Sequence, residues 1–207
     1  GMKVPVLAGG VVLVAATLAA AAGPGVTCAG ARPRSIEALI CGSPLLAALD
    51  AEMARLYRLA TGPREPVGAM AIGAKQAQPD WIRERNRCLK TASRETCVRD
   101  QYLARIAGLR VASRAARDDD HGISRGPFVF RCENTDGLLT VIFVNSDPAF
   151  ASISHQGQRQ TLRRAPAASG ARYEGADDRV FWEHQGEATY RAGAAAPEVR
   201  CVPEAIG

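Results

Sequence analysis

The chain has 207 residues, 47% hydrophobic but only 5% aromatic, with six Cys, three His and a formal net charge of +5. That apolar content beside 23% charged residues argues against intrinsic disorder, and so few aromatics suit two small cores better than one large one. No CxxC, GxGxxG, GxxxxGK(S/T) or HExxH spacing occurs. Three His without a close Cys pair leave little for a metal site, so neither metal nor cofactor is expected.

In chain order, Lys3 precedes an uncharged, Ala- and Val-rich run from Val4 to Ala22 that ends in three small residues. This predicts a secretory signal peptide over 1–22, cleaved near Ala22, with a retained membrane anchor as the competing reading. Export to an oxidising, periplasmic or envelope-associated compartment turns six widely spaced Cys into disulfide partners rather than reactive thiols. Cys28, Cys41, Cys88 and Cys97 lie early and allow three pairings, which the sequence leaves open. If each half closes its own bridges, Cys132 and Cys201 pair and staple the first and last strands of the second half.

Charge divides the chain. Residues 28–117 carry 16 Lys and Arg against 8 Asp and Glu, whereas residues 127–207 carry 8 against 10. Between them, the polar, Gly-bearing stretch 118–126 reads as a linker. The basic half is not read as nucleic-acid binding, because its Arg residues are spread along helices without interleaved aromatics. An anionic cell-envelope polymer is the partner its charge would suit.

The first half has helical period. Ser43 caps a helix with Pro44 in its first turn, and Leu45, Leu49, Met53, Leu56 and Ala60 form one face before Thr61-Gly62-Pro63 stops it. A second helix should carry Ala74, Ala77, Trp81 and Cys88, and a third Val98, Tyr102, Ile106 and Leu109. Cys28, Glu37-Ala-Leu-Ile-Cys41, Leu46-Ala-Ala-Leu-Asp50, Tyr57, Gln78-Pro-Asp-Trp81-Ile-Arg-Glu-Arg85-Asn-Arg-Cys88, Cys97 and Tyr102-Leu-Ala-Arg-Ile106 follow in order. Over about 75 residues this resembles the LprI-like family of secreted domains. The resemblance implies an envelope protein, with lysozyme inhibition in some members, and supplies no catalytic residues. Asp50, Trp81 and Arg85 are read as packing residues.

The second half switches to period two. Phe128–Cys132, Leu138–Val144, Ala151–His155, Val180–Trp182 and Ala188–Tyr190 are predicted strands, separated by turn signals at Asp136-Gly137, Asn145-Ser-Asp-Pro148 and Gln156-Gly157. Short strands at this spacing make a small antiparallel barrel or sandwich. The expected fold is therefore α+β in two domains: a disulfide-stapled helical bundle over 28–117 and a small antiparallel barrel over 127–207.

Phe130-Arg-Cys132, Leu139-Thr-Val-Ile-Phe143, Ala168-Ser169-Gly170-Ala171-Arg172-Tyr173, Phe181-Trp182-Glu-His-Gln-Gly186-Glu187-Ala188 and Cys201 resemble the MliC and PliC inhibitors of c-type lysozyme. The resemblance implies an eight-stranded barrel closed by a Cys132–Cys201 bridge. It further implies a Ser-Gly-x-x-Tyr loop that enters the lysozyme cleft near the two catalytic carboxylates. Ser169, Gly170, Arg172, Tyr173 and His184 are then the expected lysozyme-binding residues.

The chemistry of that loop is intelligible without the resemblance. Lysozyme needs one carboxyl protonated and the other ionised, so a hydroxyl and a cation between them would disturb both roles. Ser169 supplies the hydroxyl, Gly170 permits a tight turn, and Tyr173 offers an aromatic anchor. The family pattern Trp-x-Lys-Gly-x-Glu-Ala is altered here, because His184 stands where Lys is usual, so the cation becomes dependent on pH. Ser169 has no nucleophile motif around it, and the chain is not expected to be an enzyme. The alternative is a non-inhibitory envelope-binding or structural module.

Overall fold

The computed structural model describes residues 25–205. The expected signal peptide over 1–22 lies outside the described residues. Five α-helices precede eight strands: α1 Ile36–Gly42, α2 Pro44–Thr61, α3 Gly68–Arg87, α4 Arg94–Ala112 and α5 Arg114–Arg117, then β1 Ser124–Cys132, β2 Leu138–Val144, β3 Phe150–His155, β4 Gln158–Ala165, β5 Ala171–Glu174, β6 Val180–His184, β7 Glu187–Arg191 and β8 Glu198–Glu204. Among the described residues no helix is long and apolar enough to cross a membrane.

Serine caps set the helix starts. The Ser35 hydroxyl accepts from Ala38 N at 3.1 Å to open α1, and Ser43 does the same for Leu46 N at 3.4 Å to open α2, with Pro44 following. On α2 the buried face is Leu46, Leu49, Met53, Leu56 and Ala60, so Leu46 takes the core position expected of Leu45, which is only partly covered. The face of α4 matches expectation at Val98, Tyr102, Ile106 and Leu109. Two bridges, Cys28–Cys41 and Cys88–Cys97, close the lead-in to α1 and the α3–α4 turn.

Asp50, Trp81 and Arg85 are packing residues. Arg85 is buried, with its guanidinium 5.2 Å from the Trp81 ring centre, and it donates to the Tyr102 hydroxyl at 3.2 Å. Tyr102 in turn donates to Asp50 at 2.8 Å, and the other Asp50 oxygen accepts from Val26 N at 3.0 Å. Burial raises the Tyr102 hydroxyl well above its ordinary pKa, against the opposing pull of Arg85.

The strands form a closed antiparallel barrel in the order β1 to β8, with β8 returning to β1 so that Cys132 faces Cys201 and the two are bridged. Inward residues alternate along each strand: Phe130, Leu139, Val141, Ile153, Leu162, Tyr173, Phe181 and Tyr190 fill the interior. Three strands were not individually expected. β4 (Gln158–Ala165) buries a single apolar residue, Leu162, β5 (Ala171–Glu174) has four residues, and β8 contains Pro203.

The two halves are tightly joined. β1 begins at Ser124, inside the stretch expected to be a linker. On the outer face of the barrel, Ile142, Val144 and Phe150 are buried in the helical core beside α4. Arg110, 1% exposed, donates to Ser124 Oγ at 2.9 Å, Ser124 O at 2.5 Å, Ala116 O at 2.8 Å and Asp119 O at 2.8 Å. Glu52 accepts from Ser124 N at 3.1 Å, from the Ser124 hydroxyl, and from Arg55 through two 2.9 Å bonds. Arg55 also binds the Asp119 carboxylate. Gly122, at φ +75°, passes so close to Glu52 and Arg55 that a Cβ would overlap both side chains.

Candidate functional site

Antiparallel order brings the β4–β5 loop (166–170) and the β6–β7 hairpin to the same end of the barrel. The hairpin turns on Gln185 and Gly186, at φ +52° and +82°. Both central residues are left-handed, the geometry that suits the twist of a two-residue hairpin. It holds His184 in pairing with Glu187 at the strand ends.

Across from it, the Ser169 hydroxyl lies 3.1 Å from His184 Nδ1, and Ser169 is exposed. The loop is held from two sides. Trp182 Nε1 donates to Ser169 O at 2.9 Å, and Arg164 Nη2 donates to Gly170 O at 3.1 Å. Gly170 has φ +68°, and a Cβ there would collide with the Glu183 carbonyl oxygen, so the close approach to β6 requires glycine. Ser169, Gly170 and His184 thus form one exposed cluster.

The other two expected residues lie apart from it. Arg172 points along the outer wall, where its Nε donates to Glu174 at 2.8 Å and its guanidinium stands 5.8 Å from the Trp182 ring centre. Tyr173 is 2% exposed and packs inside the barrel 5.4 Å from Phe143, which corrects the expectation of a surface anchor. The physical reason is pleat: β5 pairs Tyr173 with Phe181, and both point inward. Burial raises the Tyr173 hydroxyl pKa, partly offset by the Arg164 guanidinium 5.5 Å from its ring centre. Arg164 was not singled out from the sequence, since nothing in Arg163-Arg164 distinguishes the residue that turns inward from its neighbour.

Beside this cluster the barrel end is open. A cavity of about 540 Å³ descends between Phe128, Phe143, Tyr173, Arg164, Glu183 and Pro203. Among the described residues no group of His, Cys, Asp and Glu is placed to hold a metal ion.

A closed eight-stranded barrel presenting a Ser-Gly loop beside Trp182, stapled between its first and last strands, is a barrel of the MliC type fused to a helical domain. Residues 130–199 match the family described as membrane-bound lysozyme-inhibitor of c-type lysozyme. The chain belongs to the LprI family: it is 30% identical over 154 residues to lipoprotein LprI of Mycobacterium bovis and of two Mycobacterium tuberculosis strains, covering 73% of this chain and 72% of each relative. No solved structure matches. The matched barrel family is described as an inhibitor rather than an enzyme, in agreement with a non-catalytic chain.

Proposed function

We propose that this chain is an exported inhibitor of c-type lysozyme whose Ser169 loop enters the enzyme's active-site cleft. The observation that carries the reading is the Ser169–His184 pair, 3.1 Å apart on an exposed loop end. With a neutral imidazole whose Nδ1 is unprotonated, the Ser169 hydroxyl hydrogen is spent on His184. Imidazolium reverses the bond: Nδ1–H must donate to Ser169 Oγ, which frees the hydroxyl hydrogen for a carboxylate and adds a positive charge beside it. Two carboxylates in a partner's cleft favour that protonated state.

The test is residual lysozyme activity on bacterial cell walls with the full chain, Ser169→Ala and His184→Lys, each referred to uninhibited lysozyme at the same pH. Inhibition by the full chain should weaken at least tenfold in Ser169→Ala. It should strengthen from pH 8 to pH 6 in the parent and stay flat in His184→Lys. Equal profiles would remove His184 from the mechanism, and no inhibition by an oxidised, folded parent would remove the reading.

A second engagement is favoured by the charge of the helical half, where Arg58, Arg64 and Arg117 have no carboxylate within ion-pair distance among the described residues. We read this half as a contact for an anionic envelope polymer, which would hold the inhibitor where it acts. Salt should release the chain from envelope fragments, because exposed charges are screened within about 10 Å at 0.1 M; retention at high salt would count against it.

A further inference from the structure

The interior of the barrel is filled unevenly. At the closed end the Cys132–Cys201 bridge, Leu139, Ile153 and Tyr190 are all buried, and Phe130 packs against Phe181 with ring centres 5.4 Å apart. At the end beside the Ser169 loop the packing stops. Phe128 points inward by the alternation of β1, two residues before Phe130, yet remains 44% exposed because nothing lies above it. Its ring stands 5.7 Å from Phe143, which stands 5.4 Å from Tyr173, so the three make one aromatic wall of the 540 Å³ cavity. A concave, largely apolar space of this size with a few polar groups at its rim is the usual form of a small-ligand site.

The rim is cationic on balance. Arg164 and Arg125 line the cavity, and neither has a carboxylate partner among the described residues; their donors go to backbone carbonyls at Gly170 and at His121, Gly122 and Ser124. Two carboxylates face the same space. Glu204 is engaged by Arg131, whereas Glu183 has no ion-pair partner among the described residues. Two guanidiniums against one free carboxylate favour an anionic head, and the wall below favours a chain or ring.

We infer that the open end of the barrel is a binding site for a medium-chain acyl carboxylate, its chain lying on Phe128, Phe143 and Tyr173 and its carboxylate meeting Arg164 and Arg125. The site stands independently of lysozyme inhibition, since none of the groups that carry it is Ser169 or His184. Guanidinium and carboxylate match as planar, two-point partners.

The experiment is isothermal titration of the full chain with decanoate below its micellar concentration, with decanol and acetate as the neutral and the chainless controls. Decanoate should bind saturably at one site, decanol at least tenfold more weakly, and acetate not measurably. Arg164→Gln and Phe128→Ser should each weaken decanoate about tenfold. Glu183→Gln, which removes the one repelling charge, should tighten it several-fold. Phe128 is at the exposed mouth and Glu183 is unpaired, so both variants should melt with the parent and report on the site rather than on folding. No saturable heat with decanoate overturns the inference. So does an affinity unmoved by Phe128→Ser, or one that falls in Glu183→Gln.

Discussion

Replacing Arg110 by Met keeps an unbranched apolar stem and deletes the guanidinium with its charge and donors. The residue is 1% exposed and makes four hydrogen bonds, two of them to Ser124 at the first residue of the barrel. Removing it strands the carbonyls of Ala116, Asp119 and Ser124, and takes one of two cations from Glu52, whose carboxylate lies 3.7 Å from Arg110. Bonds to a charged group are worth about 1.5–3 kcal/mol each, but they are not additive, and water can reach the Asp119 side. Breaking one partner out of a buried ion pair costs about 3–5 kcal/mol when it leaves a charge uncompensated; Arg55 still neutralises Glu52, so the expected loss is at the lower end, about 3 kcal/mol. For a chain of this size about 1 kcal/mol lowers the melting temperature by about 2–4 °C, so the expected drop is roughly 10 °C. Urea unfolding at pH 7, followed by far-UV circular dichroism and by tryptophan fluorescence, reads both the loss and whether the halves still melt together. A loss below about 1 kcal/mol would refute the assignment of Arg110 as the fastening between the halves.

Further outcomes follow from the same geometry. Burial works to raise the pKa values of Glu52 and Glu65, but Arg55 and Ser124 at the first and the Ser113 hydroxyl with backbone amides at the second hold both below the ordinary value of 4.5. A depressed folded pKa means stability that is complete above 4.5 and is lost as pH falls through the folded values, so acid titration of stability should steepen below that point and flatten in Glu52→Gln. Gly170→Ala forces a Cβ into the Glu183 carbonyl at φ +68°; it should displace the Ser169 loop and abolish lysozyme inhibition while the barrel's melting temperature changes by only a few degrees, measured by inhibition assay and thermal melt. Replacing Cys132 and Cys201 together by Ala opens a link across 69 residues, for which loop entropy gives about 4 kcal/mol, checked by denaturant midpoint.

What the sequence disclosed depended on how local the signal was. Ser43-Pro44 and the Leu49–Met53–Leu56–Ala60 face fix α2 because a cap and a period act within a few residues. β2 is dense in apolar, β-branched residues and could be read directly, whereas β4 carries Gln158, Gln160 and Arg164 on the same side as Leu162, its one buried apolar residue, so its period is invisible without its neighbours. The Ser169–His184 cluster was legible through a motif. The inward turn of Tyr173 was not, because the motif fixes spacing but not which side of the pleat faces the core. Least legible was the joint: Glu52 meets Ser124 across 72 residues, and Asp119 and Gly122 read as loop residues until Arg55 is seen to bind the one and crowd the other.

The burial of Ile142, Val144 and Phe150 beneath the helices has a consequence for the lineage of the fold. A free-standing barrel of this kind can paint its exterior with polar residues, but this one carries Ile142, Val144 and Phe150 on its outside, and they are dry only while α4 lies over them. Recombination that moved the strands to a new neighbour would uncover an adhesive stripe. The halves have therefore become obligate companions, and any lineage that discards the helices must first recolour β2 and β3.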